Sequence, residues 1–100
     1  MSTASPQYAI LFADVSDSTG LYEKLGDQQA LTAIDAVLAE LRKAIALQQG
    51  HVVKTIGDEI MAVFPSADAA MQATCDMQIR VSNLPAVANL QLMIRAGFHF

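Results

Sequence analysis

The chain has 100 residues, 53% hydrophobic and 16% charged, which fits a globular domain with room for one compact core. A net charge of −4 without a Lys/Arg cluster argues against sequence-independent binding of nucleic acid. No apolar run approaches the roughly 20 residues of a membrane helix, and Met1 to Pro6 lacks the basic start and apolar core of a signal peptide, so this segment is expected to be cytoplasmic, without membrane contact.

Residues 8–15, Tyr-Ala-Ile-Leu-Phe-Ala-Asp-Val, form a continuous apolar run broken by one carboxylate, which predicts a buried central strand. Ser16-Asp17-Ser18-Thr19 is rich in helix-capping types, and Gly20 to Leu25 reads as a short helix stopped by Gly26. From Asp27 to Gln49, Leu31, Ile34, Leu38, Leu41 and Ile45 recur in steps of three and four, the stripe of an amphipathic helix, which Gly50 ends. His51 to Ile56 and Glu59 to Phe64 are strand-like and are joined by Gly57-Asp58, a dipeptide suited to a tight hairpin. Pro65-Ser66 opens a second long helix through about Ser82, with Met71, Thr74, Met77 and Val81 as its expected core face, and Leu84-Pro85 closes it. The lone Cys75, in this Ala-rich stretch, is expected to be a small buried hydrophobe of a reducing compartment. Gln91 to Phe98 alternates as an edge strand does.

The order strand, helices, strand, strand, helix, strand predicts an α+β, ferredoxin-like (split βαβ) palm, a central antiparallel sheet with helices on one face. In that topology the first and third strands are antiparallel neighbours at the sheet centre, so Asp14 and Asp58 meet in space. Both strands are apolar on both sides, yet the helices cover only one. The other face needs a cover, either further chain or a second subunit.

Two acids at converging strand ends suit Mg²⁺, which takes hard oxygen ligands and is commonly held by one or two carboxylates together with substrate phosphates. Backbone N–H groups in the loop after Asp14, around Ser18 and Thr19, can cradle phosphate at a helix start. Taken singly, each residue has a plainer reading: Asp58 as a turn residue, Asp14 as a helix-entry acid, Lys54 as a solvated edge lysine. His51 and His99 lack ligand spacing and read as surface or structural residues, Glu40 and Lys43 read as a solvated helix face, and Glu59 is expected on the opposite sheet face, away from any metal.

As a set, the segments 9–19 (AILFADVSDST), 50–64 (GHVVKTIGDEIMAVF) and 94–99 (IRAGFH) resemble three successive blocks of class III adenylate and guanylate cyclases. The resemblance covers nearly the whole chain. It implies one domain, residues 1–100, forming the N-terminal, metal-binding part of a cyclase catalytic domain, with the chain stopping at Phe100 inside a strand-like segment. It also implies two Mg²⁺ (or Mn²⁺) ions on Asp14 and Asp58, the backbone carbonyl of Val15 as a further ligand, and Val15, Ser16, Asp17, Ser18 and Thr19 around phosphate and metal.

Lys54 stands at the family's purine-selecting position, where lysine resembles the adenylate enzymes and glutamate the guanylate ones. An ammonium donates to adenine N1, an acceptor, whereas guanine presents a donor there. The reaction implied is attack of the ATP ribose 3′-hydroxyl on the α-phosphorus, giving 3′,5′-cyclic AMP and pyrophosphate, in a site between two head-to-tail domains whose partner can be a second copy. Asp17 departs from the glycine usual at its position and brings a negative charge near the phosphate cradle. The family's transition-state Asn and Arg, and its second purine-selecting position, belong to a following half that this chain does not contain. A catalytically incomplete nucleotide- or partner-binding module and a guanylate cyclase therefore stand as alternatives. A diguanylate cyclase palm shares the Gly57-Asp58-Glu59 hairpin, but Ile56 replaces its first glycine.

Overall fold

The computed structural model describes residues 8–87 and 89–99. The N-terminal residues read above for a signal peptide, and Phe100 at the chain end, lie outside them. Among the described residues the elements run β1 (Ala9–Val15), α1 (Ser18–Leu25), α2 (Asp27–Leu47), β2 (His51–Ile56), β3 (Glu59–Phe64), α3 (Ala67–Ser82) and β4 (Ile94–His99). They form a sheet in the order β2-β3-β1-β4, antiparallel throughout, with β1 and β3 central and β4 at an edge. This is the expected α+β palm.

Turn chemistry sets several boundaries. Gly57 has φ 58° at the first central position of the β2–β3 turn, a conformation in which a Cβ is strained. Ser66 caps α3, its Oγ accepting the Ala69 N–H at 3.0 Å, which satisfies one of the free donors of the first turn. Helix α1 starts at Ser18, earlier than the sequence suggested, because Asp17 is its cap. Strand β4 starts later than expected, after a bridge between Val87 and Leu90.

The core lies between one sheet face and the helices. In β1 Ala9, Leu11, Ala13 and Val15 are buried, and in β3 Ile60, Ala62 and Phe64 are; they meet Ala30, Val37, Leu41 and Ile45 of α2 and Ala70, Ala73, Met77 and Val81 of α3. Ile34, Leu41, Ile45, Met77 and Val81 are buried as expected, while the remaining expected positions show each stripe centred slightly to one side. Leu31 and Met71 are 50% and 55% exposed, and Leu38 and Thr74 are half-buried. Alanines take the contact positions instead, because small side chains let two helices and a sheet approach closely. The same offset turns Cys75 outward, so it is exposed rather than buried.

Glu40 and Lys43, expected as a merely solvated face, are partly structural. Glu40 pairs with Lys43 at 3.0 Å and reaches Arg80 of α3 at 3.3 Å, while Arg80 also pairs with Asp76 at 2.8 Å. Hydrogen bonds from Lys43 and Arg80 hold the Glu40 carboxyl below the usual carboxylate range, and the Asp76 carboxylate raises the Arg80 guanidinium.

Candidate active site

The alternation that buries one sheet face leaves the other bare. Strand β1 is therefore half-exposed: Ile10, Phe12 and Asp14 point away from the helices, with Phe12 38% exposed. Cross-strand partners share a face, so the registers order this surface into three rows. At one end His51, Val63, Ile10 and His99 lie side by side, then Lys54, Met61, Phe12 and Gly97, then Ile56, Glu59, Asp14 and Arg95. Apolar side chains fill the middle and charged ones the rim.

The last row carries the candidate chemistry. Asp14 pairs with Glu59 across β1 and β3, so the hairpin residue Asp58 is one position beyond its partner, at the same end of the sheet. The topology thus brings Asp14 and Asp58 to one end of the sheet, as their strand order requires. Their side chains line different hollows. Asp14 borders one of about 150 Å³ with Phe12, Glu59, Arg95 and Gly97. Asp58 borders one of about 250 Å³ with Ser18, Tyr22, Leu31, Ile34 and Asp35.

Two residues of this site were missed by sequence reasoning. Glu59 lies on the same face as Asp14, not the opposite one. The expectation set Glu59 opposite its neighbour Asp58, but Asp58 is in the hairpin turn and has no strand face, so alternation counted from it misplaces Glu59. Arg95 of β4 was seen only as an alternating edge residue. Its Nη2 donates to Asp14 Oδ2 at 3.1 Å, an ion pair in which Asp14 is 25% and Arg95 73% exposed. Its place beside Asp14 comes from the β1–β4 register, a pairing of distant segments with no local signal in the sequence.

The loop after β1 is well specified. Val15 is buried at the strand end, and the Ser16 N–H donates to the Met93 carbonyl at 2.8 Å. Asp17 takes the left-handed conformation, φ 54° and ψ 45°, which asparagine and aspartate tolerate better than most L-residues and glycine tolerates best. Its Oδ1 accepts the Gly20 N–H at 3.2 Å, so its charge is directed at the N-terminus of α1. A Cβ at residue 20 would collide with that carboxylate, which explains Gly20. Among the described residues the backbone N–H groups of Asp17, Ser18 and Thr19 make no hydrogen bond, leaving successive donors at a left-handed turn, the geometry of an anion nest.

Lys54 is exposed on edge strand β2, two strands and one row from Asp14, about 12 Å between Cα atoms. His51 and His99 are exposed at opposite sheet edges. Among the described residues no three His, Cys, Asp or Glu side chains are gathered as a metal cage. Asp14 and Asp58 each offer hard oxygen donors of the kind a divalent cation takes together with water and phosphate. No helix among the described residues is long and apolar enough to cross a membrane.

Comparison with known proteins agrees with this fold. The model of the adenylate and guanylate cyclase catalytic domain matches residues 2–100. The terminal-differentiation specific adenylate cyclase of Dictyostelium discoideum is 31% identical over 91 residues, which is 91% of this chain and 4% of that protein. An adenylate cyclase of Mycosarcoma maydis is 37% identical over 65 residues, 65% of this chain and 2% of that protein. The structure of a bacterial light-regulated adenylyl cyclase superposes with a TM-score of 0.81 at 26% identity, over 96% of this chain and 31% of that one. The chain therefore spans only a small part of each of these relatives.

Proposed function

The chain belongs to the adenylate and guanylate cyclase catalytic domain family, and from that premise we propose that it is the metal-binding half of a domain that cyclises ATP to 3′,5′-cyclic AMP. The observation that carries this reading is the β1–β3 register, which sets Asp58 one residue beyond the partner of Asp14. Asp14 and Asp58 would hold two Mg²⁺ or Mn²⁺ ions, with the Val15 carbonyl as a further ligand. Such ions, when bound, activate the attacking ribose oxygen and neutralise charge on the departing pyrophosphate. The chain's own part is orientation. The N–H groups of Asp17, Ser18 and Thr19 receive phosphate oxygens, with the Ser16, Ser18 and Thr19 hydroxyls nearby, and Lys54 donates to the purine, which favours ATP over GTP.

Lys54 and Asp14 lie in different rows and strands of one bare apolar face. A second cyclase domain, such as a second copy packed head to tail on that face, would cover Phe12, Met61 and Ile56 and bring Lys54 of one domain toward Asp14 of the other. The groups that complete the transition state would come from the following half, so the isolated chain is expected to bind rather than turn over.

The test is conversion of radiolabelled ATP by a catalytic domain containing this chain, with Mn²⁺ or Mg²⁺. Cyclic AMP formation that disappears with Asp14→Asn supports the reading; a domain that binds nucleotide without turnover supports the other one. That second reading, a catalytically incomplete nucleotide- or partner-binding module, is favoured in its partner-binding form by one observation: the Asp17 carboxylate sits at the α1 N-terminus, where it opposes an incoming phosphate.

A further inference from the structure

Resting on the assignment of Asp14 as a cation ligand, we propose that Arg95 is a positioning residue that holds the Asp14 carboxylate in the cation-free domain and must release it before a divalent cation binds. Arg95 thereby lowers cation affinity and makes loading an exchange of one positive group for another. Asp14 and Arg95 are direct partners in the β1–β4 register, with Nη2 and Oδ2 3.1 Å apart. The two side chains differ in freedom. Asp14 is 25% exposed and fixed near the strand end, whereas Arg95 is 73% exposed at the open rim of the sheet, so the guanidinium can leave without backbone movement.

The surroundings suit such an exchange. Gly97 presents no side chain to the hollow shared by Asp14, Glu59 and Arg95, and a Cβ built there would meet nothing within 4 Å, so space remains beside the ion pair. Glu59, the partner of Asp14 on the other side, offers a carboxylate across the same hollow to a displaced guanidinium. A cation arriving at Asp14 must otherwise bear the repulsion of Arg95, a penalty that salt reduces.

The test is Mn²⁺ titration of the whole chain without nucleotide, following the paramagnetic resonance signal of free Mn²⁺. Arg95→Gln is expected to tighten Mn²⁺ binding about two- to fivefold, as fits an exposed pair, with the gain shrinking as salt rises. Arg95→Lys is expected to keep the parent affinity, and Asp14→Asn to abolish binding. If Arg95→Gln binds Mn²⁺ no more tightly than the parent while Asp14→Asn still abolishes binding, the exchange is overturned and the cation site stands. If binding is absent, or indifferent to Asp14→Asn, the cation site itself fails and the exchange with it. Circular dichroism melts establish that each variant is folded, and Arg95→Ala, at the same exposed position, serves if Arg95→Gln is not.

Discussion

Asp14 faces Glu59 across β1 and β3, while Asp58, one residue further, turns toward Ser18 and Tyr22 at the start of α1. The two aspartates thus lie at one end of the central strands but line different hollows, and a ligand placed between them would span the strand end and the first turn of the helix. Replacing Asp14 or Asp58 by Asn removes a charged ligand while keeping shape. If the proposed reaction holds, each change in a catalytic domain containing this chain is expected to lower cyclic AMP formation by about 100-fold or more, the scale of losing one transition-state stabilising group, with little change in melting temperature because neither aspartate belongs to the core. Activity assays and melts on the same preparations check this.

Lys54 is exposed on an edge strand, and among the described residues its side chain makes no hydrogen bond or ion pair. Lys54→Glu should therefore fold normally and move the ATP-to-GTP preference toward GTP by about tenfold or more, since a carboxylate opposite adenine N1 leaves two acceptors facing each other. Competition between the two nucleotides at equal concentration gives the ratio directly.

Asp17 combines a left-handed backbone with a capping carboxylate. Glycine relieves the first and forfeits the second, so Asp17→Gly should change stability by only a few tenths of a kcal/mol, whereas Asp17→Ala loses the cap and adds strain, because alanine tolerates the left-handed region less well than aspartate, at about 2 kcal/mol. Urea denaturation separates them. If phosphate approaches this turn, Asp17→Gly should also tighten nucleotide binding.

The Glu40 carboxyl is held below its ordinary value by Lys43 and Arg80. A carboxyl with a depressed folded pKa adds stability that is present above its unfolded pKa, near 4.5, and is lost as pH falls through the folded value. Stability should accordingly fall on acidification below that point, and Glu40→Gln should flatten this part of the profile. Denaturation midpoints measured across the acidic range report both slopes.

Leu41 is fully buried between α2 and the rest of the core, whereas Leu31 is 50% exposed. Leu41→Ala should cost about 2–5 kcal/mol and Leu31→Ala well under 1 kcal/mol. Equal costs would contradict the orientation of α2. Chemical denaturation of the two variants decides it.

The sequence by itself determined the element order, the hairpin at Gly57-Asp58, the antiparallel neighbourhood of the first and third strands and, through it, the placement of Asp14 and Asp58 at one end of the sheet. These are local signals, or follow from topology once the elements are known: apolar runs, turn residues and caps act within a few positions of one another. Tertiary structure alone decided which side chains share a face across strands, and so brought Glu59 and Arg95 to Asp14. It also decided how far the helices rotate, burying alanines of α2 and α3 and leaving Leu31, Met71 and Cys75 outside. Cross-strand register and close helix approach are contacts between distant segments, and a period read along one segment cannot fix the phase at which it meets another.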